Sequence, residues 1–188
     1  MARPKSDDRR SAILAAAVRV IAAQGPGATT ALIAKEAGVS NGSLFTYFET
    51  KADLLNQLYR EVKAEMAAAA LDGLPDGDDV RAQLFHMWSH WLRWAVASPE
   101  KRRVLAHLDV SGEITPDSRQ AGRQMMAGIA AVLEHSRANG PMRAVPLGFI
   151  VALMQSMANT TMDFMIQEPA NADTHCATAF DAMWRMVG

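Results

Sequence analysis

At 188 residues the chain is long enough for one large or two small domains with a sizeable core. Hydrophobic residues make up 49% and aromatics only 6%; Ala and Met are abundant and β-branched runs scarce, which argues against a sheet and for an all-α protein. A net charge of −1 gives no global attraction for nucleic acid, and a single cysteine, Cys176, excludes an internal disulfide and a cysteine-based zinc site.

The N-terminus, MARPKSDDRR, lacks the apolar run of a signal peptide, and with the lone cysteine this fits a reducing cytoplasm. Residues 1–51 carry seven basic side chains (Arg3, Lys5, Arg9, Arg10, Arg19, Lys35, Lys51) against four acids (Asp7, Asp8, Glu36, Glu49). That leaves +3 on the head and −4 on the rest, the asymmetry of a nucleic-acid-binding module on an acidic body. A first helix is predicted over 6–24, with Ile13, Ala17, Val20 and Ile21 as its buried stripe. Gly25-Pro26-Gly27 stops it. Thr29 or Thr30 caps a short second helix with Ile33 and Ala37 inward, Gly38 supplies a sharp turn, and Ser40 caps a third helix ending near Phe48.

A fourth helix follows over 51–71, with Leu54, Leu55, Leu58 and Val62 inside. Residues 72–79 are rich in Asp, Gly and Pro and form the clearest break. Further helices are expected over 80–97, over 99–109 with Ser98 as cap and Pro99 first, over 115–137, 146–167 and 174–187. That makes about nine helices. The most apolar window, 146–166, holds Gln155, Ser156, Asn159, Thr160, Thr161 and Asp163, so no membrane span is expected.

The third helix carries the chemistry. At 100° per residue, Leu44 and Phe48 fall on one side and should face the first two helices, with Gly42, Ser43 and Thr46 opposite. A first turn with Asn41 and small polar groups can enter a major groove, where Asn bonds adenine in a bidentate way, and Gly42 allows close approach. Tyr47 and Lys51 lie further along, where a phosphate oxygen meets a hydroxyl and an ammonium. Thr30 and Ser40 start helices, whose free N–H groups suit phosphates too.

The order Ala28-Thr29-Thr30, Ile33-Ala34, Ala37-Gly38-Val39-Ser40, Gly42-Ser43-Leu44-Phe45, Tyr47-Phe48 and Lys51 closely resembles the DNA-binding signature of the TetR family over about residues 9–55. The resemblance implies a bacterial regulator, usually a repressor, that acts as a homodimer on a double-stranded DNA operator and is released by a small-molecule inducer. It implies an N-terminal three-helix bundle with a helix-turn-helix (1–50) and a larger helical ligand-binding and dimerisation domain (51–188). By resemblance, Thr30, Ser40, Tyr47 and Lys51 contact phosphates, while Asn41, Gly42, Ser43 and Phe45 face bases, with Thr46 on the same surface. Phe45 stands where many members have Tyr, and Ala31 replaces a base-reading side chain, so base reading rests more on Asn41, Ser43 and close approach at Gly42.

In the body, Met87, Trp88, Trp91, Trp94, Phe149 and Met157 are apolar enough to line a ligand pocket, and Met125, Met126, Met154 and Met162 could add an adaptable wall; plain core packing uses the same residues. Ile150, Met154, Met157, Ala158, Thr161 and Met165 form one stripe at helical spacing, with Phe180, Met183 and Val187 adding another; the resemblance makes the last two helices a dimer interface. His86 and His90 are one turn apart, but no third ligand is placed and no metal site or cofactor is assigned. Asp109 with Glu113 and Cys176 with His175 form no catalytic constellation, so an enzyme is not expected. The alternative to a ligand-released repressor is an activator or a ligand-independent DNA-binding protein, for which the same head serves.

Overall fold

A computed structural model describes residues 5–77 and 79–187, with no statement for the side chains of Lys5, Ser6, Asn139 and Val187. Arg3 of the basic head, Asp78 of the break and the Val187 side chain of the predicted stripe therefore lie outside the described residues. Those residues form ten α-helices, one short 3-10 turn and no strands. The chain divides into two compact units, residues 1–64 with 98–124 and residues 65–97 with 125–188.

Unit 1 begins with α1 (Lys5–Gln24), whose Ile13, Ala17, Val20 and Ile21 are all buried, as the helical spacing predicts. α2 (Thr30–Glu36) and α3 (Asn41–Leu44) follow, and both α2 and the later α6 pack on α1. α4 (Lys51–Leu71) starts in this unit and buries Leu54, Leu55, Leu58 and Val62. Arg10 on α1 staples this helix: it pairs with Glu61 at 2.8 Å, donates to Gln57 and lies over the Phe48 ring. α6 (Pro99–Asp109) buries Val104, Leu105 and Leu108. Ser98 makes no side-chain cap there; its carbonyl takes the Arg102 N–H instead. α7 (Pro116–Met125) is capped by the Thr115 hydroxyl, which accepts from Ser118 N–H at 3.2 Å. Its Gly122 faces Tyr59 so closely that a Cβ would sit 3.3 Å from the ring. Burial, aided by the Asp109 carboxylate, pushes the Tyr59 phenol up to about 12.

Unit 2 contains α5 (Val80–Ala97), α8 (Ala127–Asn139), α9 (Leu147–Gln167) and α10 (Ala172–Val187), with the 3-10 turn Pro169–Asn171 between the last two. α5, α9 and α10 pack on one another, and α8 packs on α5, around Leu84, Met87, Trp88, Leu92, Leu133, Ile150, Met162 and Phe180. The helix predicted as one over 115–137 is two. Met126 leaves helical geometry at φ −93°, ψ 5°, between Gly122 and Gly128, residues that weaken a helix by about 1 kcal/mol each. The chain also passes between units at this point. Among the described residues no helix is long and apolar enough to cross a membrane.

Candidate nucleic-acid interface

The turn between α2 and α3 is built by Gly38. Its φ of +69° is the left-handed conformation that costs other residues a clash between Cβ and carbonyl. With glycine there, Val39 N–H reaches back to the Ala34 carbonyl at 3.0 Å and Gly38 N–H to that of Lys35 at 3.2 Å. These two bonds are the Schellman closure of a helix C-terminus. The chain then re-enters helix at once. Ser40 is extended (φ −71°, ψ 152°), and its hydroxyl accepts the Ser43 N–H at 3.0 Å.

Three successive helices begin on a hydroxyl. Thr29 accepts from Leu32 N–H at 3.3 Å, Ser40 caps α3, and Thr50 accepts from Asp53 N–H at 3.0 Å. Thr29, not Thr30, is the cap of α2, which puts Thr30 in its first turn. The Thr50 cap was missed in the sequence, although Thr50-x-x-Asp53 is the pattern of an acidic first turn below a threonine cap.

α3 is shorter than predicted. Regular helix ends at Leu44, and residues 45–47 tighten into i→i−3 bonds: Thr46 N–H to the Ser43 carbonyl and Tyr47 N–H to that of Leu44. The Thr46 hydroxyl donates to the same Ser43 carbonyl at 2.5 Å, so its proton is used within the turn and only its lone pairs face outward. The predicted inner face holds: Leu44 is fully buried and Phe48 nearly so, joined by Ile33 and, in place of the half-buried Ala37, Ala34. On the other side Asn41, Gly42 and Thr46 are exposed, Ser43 is half-buried, and Phe45 shows 41% of its surface. Tyr47 and Lys51 are half-buried, and their side chains have no hydrogen-bond or ion-pair partner among the described residues, while Arg19, by contrast, is tied to Glu36 at 2.7 Å. The result is one polar, nearly uncharged surface on an otherwise packed bundle, flanked by an uncommitted hydroxyl and ammonium.

Unit 2 gathers five of the six residues read as pocket lining. Met87 and Trp88 are buried in its core, and Trp91, Trp94 and Met157 pack against that core half-buried. Phe149 is 56% exposed and does not join them. The Trp88 indole donates to the Cys176 carbonyl at 3.1 Å and the Trp94 indole to Glu65 at 3.1 Å, so both polar edges are satisfied. His86 and His90 stack at 3.8 Å, and the His86 Nε2 sits 2.7 Å from the Asp72 carbonyl; no group of three or more His, Cys, Asp or Glu suited to a metal ion occurs among the described residues. Burial raises the Cys176 thiol above its usual range.

The residues read as a dimer stripe require a correction. Ile150, Ala158, Thr161, Met165, Phe180 and Met183 are buried in their own chain and Met154 is half-buried, so another copy cannot reach most of this stripe. α9 is apolar on several sides, and helical spacing alone does not say which side turns inward. Its exposed large apolar residues are Phe149, Val151, Phe164 and Ile166.

A short helix presented by a Schellman turn, with small polar residues outward and a hydroxyl and an ammonium behind it, is the geometry of a helix-turn-helix of the DNA-binding kind. Residues 13–58 match the model of the bacterial regulatory proteins of the tetR family. The whole chain is similar to a TetR family transcription regulator from Marinobacter aquaeolei VT8, at 28% identity over 99% of this chain and 98% of that one, with a TM-score of 0.87. A TetR-type regulator from Shewanella sp. PV-4 is 27% identical over 95% and 97%, with a TM-score of 0.83. The regulator FadR from Bacillus subtilis, solved in complex with stearoyl-CoA, shares the fold at 18% identity over 95% and 97%, with a TM-score of 0.67. Residues 13–58 thus carry the tetR-type DNA-binding region, and over its length the chain is similar to TetR family transcription regulators.

Proposed function

We propose that the protein is a cytoplasmic, homodimeric repressor that occupies a palindromic DNA operator and is released by a small apolar ligand. The observation that carries the DNA reading is the exposed face of α3, backed by an unpartnered Tyr47 and Lys51. Asn41, Ser43 and Phe45 face the bases, and Gly42 admits the groove wall. Thr30, Ser40, Tyr47 and Lys51 hold phosphates; the Ser40 oxygen and the Thr46 proton already serve local turns, so Ser40 offers its proton and Thr46 a lone pair. Residues 1–50 act as the head, and residues 51–188 carry ligand binding and dimerisation.

Dimerisation is assigned to α9 and α10, with α9 presenting the exposed Phe149, Val151, Phe164 and Ile166 instead of the buried stripe. Two heads on one duplex then require half-sites about 34–36 Å apart. Met87, Trp88, Trp91, Trp94 and Met157 form the apolar side of the ligand site, and the FadR structure with stearoyl-CoA supports an apolar occupant for this fold. Ligand and operator oppose each other through a coupling free energy of about 1–3 kcal/mol. The test is selection of the full-length protein on a random-sequence duplex pool followed by footprinting. A palindrome protected on one face of the helix is expected, and recovery of no specific sequence rejects the proposal.

A further inference from the structure

α4 buries one polar side chain among its leucines. Asn56 is 6% exposed and uses all four of its hydrogen-bonding positions. Its Nδ2 donates to the Ala52 carbonyl at 2.7 Å and to the Glu113 carbonyl at 2.8 Å. Its Oδ1 accepts from the Thr115 N–H at 2.9 Å and from the Thr115 hydroxyl at 3.1 Å. The assignment of its nitrogen and oxygen is forced, because a flipped amide would set NH2 against an N–H and oxygen against two carbonyls. The network continues one turn on, where Ser118 Oγ lies 3.2 Å from Thr115 Oγ1 and accepts from Arg60 at 3.2 Å.

Asn56 and Arg60 stand one turn apart on α4, so one side of this helix meets the segment from Glu113 to Ser118 that leads into α7. Leucine contacts tolerate sliding; this network does not, because a shift of one residue strands every buried donor and acceptor. The same stretch of α4 begins at Thr50 and Lys51, directly after the DNA-facing segment. α4 and α7 are also two of the elements through which the chain leaves unit 1.

We infer that Asn56 is a positioning residue for DNA binding: by locking α4 in register with the first turn of α7, it holds Lys51 at its phosphate. The inference rests on the proposed DNA contacts of the head. It is tested by the salt dependence of binding of full-length protein to the duplex selected by the wild type. Each lost phosphate contact lowers the slope of log K against log salt by about 0.9. Lys51→Ala sets the reference loss. Asn56→Leu, similar in volume and without polar atoms, is expected to lose the same slope per head, and the double variant no more than either. A merely structural Asn56 lowers the folded fraction and the apparent affinity while leaving the slope of the folded protein unchanged. A wild-type slope for Asn56→Leu beside a reduced one for Lys51→Ala overturns the inference alone. A wild-type slope for Lys51→Ala overturns the phosphate role of Lys51 and the inference with it. If Asn56→Leu does not fold, Thr115→Val decides: removing only the hydroxyl should lower the slope partway, and an unchanged slope overturns the inference.

Discussion

Replacing Gly38 by alanine isolates the cost of the turn that presents the reading helix. A Cβ at this position meets nothing within 4 Å, so the effect is confined to the backbone. Holding alanine at φ +69° costs about 1–2 kcal/mol. Alanine also restricts the unfolded chain, which returns about 0.4–1 kcal/mol. The net loss is about 1 kcal/mol, near a fivefold shift in the folding equilibrium. Gly27 is the internal control, since it too has open space around its Cβ but lies outside the left-handed region. Gly27→Ala should therefore gain about 0.4–1 kcal/mol, from the unfolded-state effect alone. Asparagine tolerates the left-handed region, so Gly38→Asn should fall between wild type and Gly38→Ala. Hydrogen exchange of the Val39 amide, which closes the turn onto Ala34, and urea denaturation by circular dichroism both read the difference. Equal stability for Gly38→Ala and Gly27→Ala would refute the reasoning, because sterics at the two sites are alike and only φ differs.

Three further expectations can be checked directly. Tyr47→Phe with Lys51→Ala should weaken binding to specific and random duplexes alike and flatten the salt dependence by about 0.9 in slope for each Lys51 charge lost, the neutral Tyr47 hydroxyl adding nothing to the slope; a slope equal to wild type contradicts the phosphate assignment of Lys51. Tyr59 holds its proton more tightly in the folded state, with its pKa raised from 10.0 to about 12, so the folded form binds more protons in that window and stability falls as pH rises through it. Tyr59→Phe should remove that alkaline loss in denaturant titrations between pH 9 and about 12, and parallel profiles for the two proteins speak against it. Phe164→Ser with Ile166→Ser alters two exposed apolar residues and should shift the protein toward monomer in sedimentation, whereas Met165→Leu, inside the core, should leave the assembly unchanged; a dimer untouched by the double change removes α9 from the interface.

Much of the architecture is legible because it is written in local signals. Gly38, Ser40, Pro99 and Thr115 each mark a boundary within a residue or two of themselves, and the helices at 80–97 and 99–109 end where such signals stand. Leu44 in α3 and Phe48 just after it declare the inner face of this segment because Gly42, Ser43 and Thr46 opposite carry no large apolar side chain. α9 makes no such declaration: with apolar residues on several sides, Ile150 and Phe149 look equivalent in sequence, yet one is buried and the other more than half exposed. Nothing at Met126 itself marks the break, neither a proline nor a capping side chain. The Asn56 network joins residues 57 and 59 positions apart, and nothing near Asn56 in the chain announces its partners.

Because unit 1 is assembled from two stretches of chain, 1–64 and 98–124, no single cut releases it. A gene fragment ending at residue 50 or 64 would leave α1 without the α6 surface it packs on, and Asn56 without Thr115. Exchange of DNA specificity between relatives by recombination therefore faces a barrier at the level of the gene. A chimaera must either move both stretches together, which takes two coordinated crossovers, or confine itself to the outward residues of α2 and α3 and leave the scaffold untouched. On the proposed contacts, the second route needs only point changes at positions such as Ala31, Asn41, Ser43 and Phe45, none of them in the core. On that reading, new operators are reached by drift on a small exposed surface, while the interleaved scaffold beneath it is inherited whole.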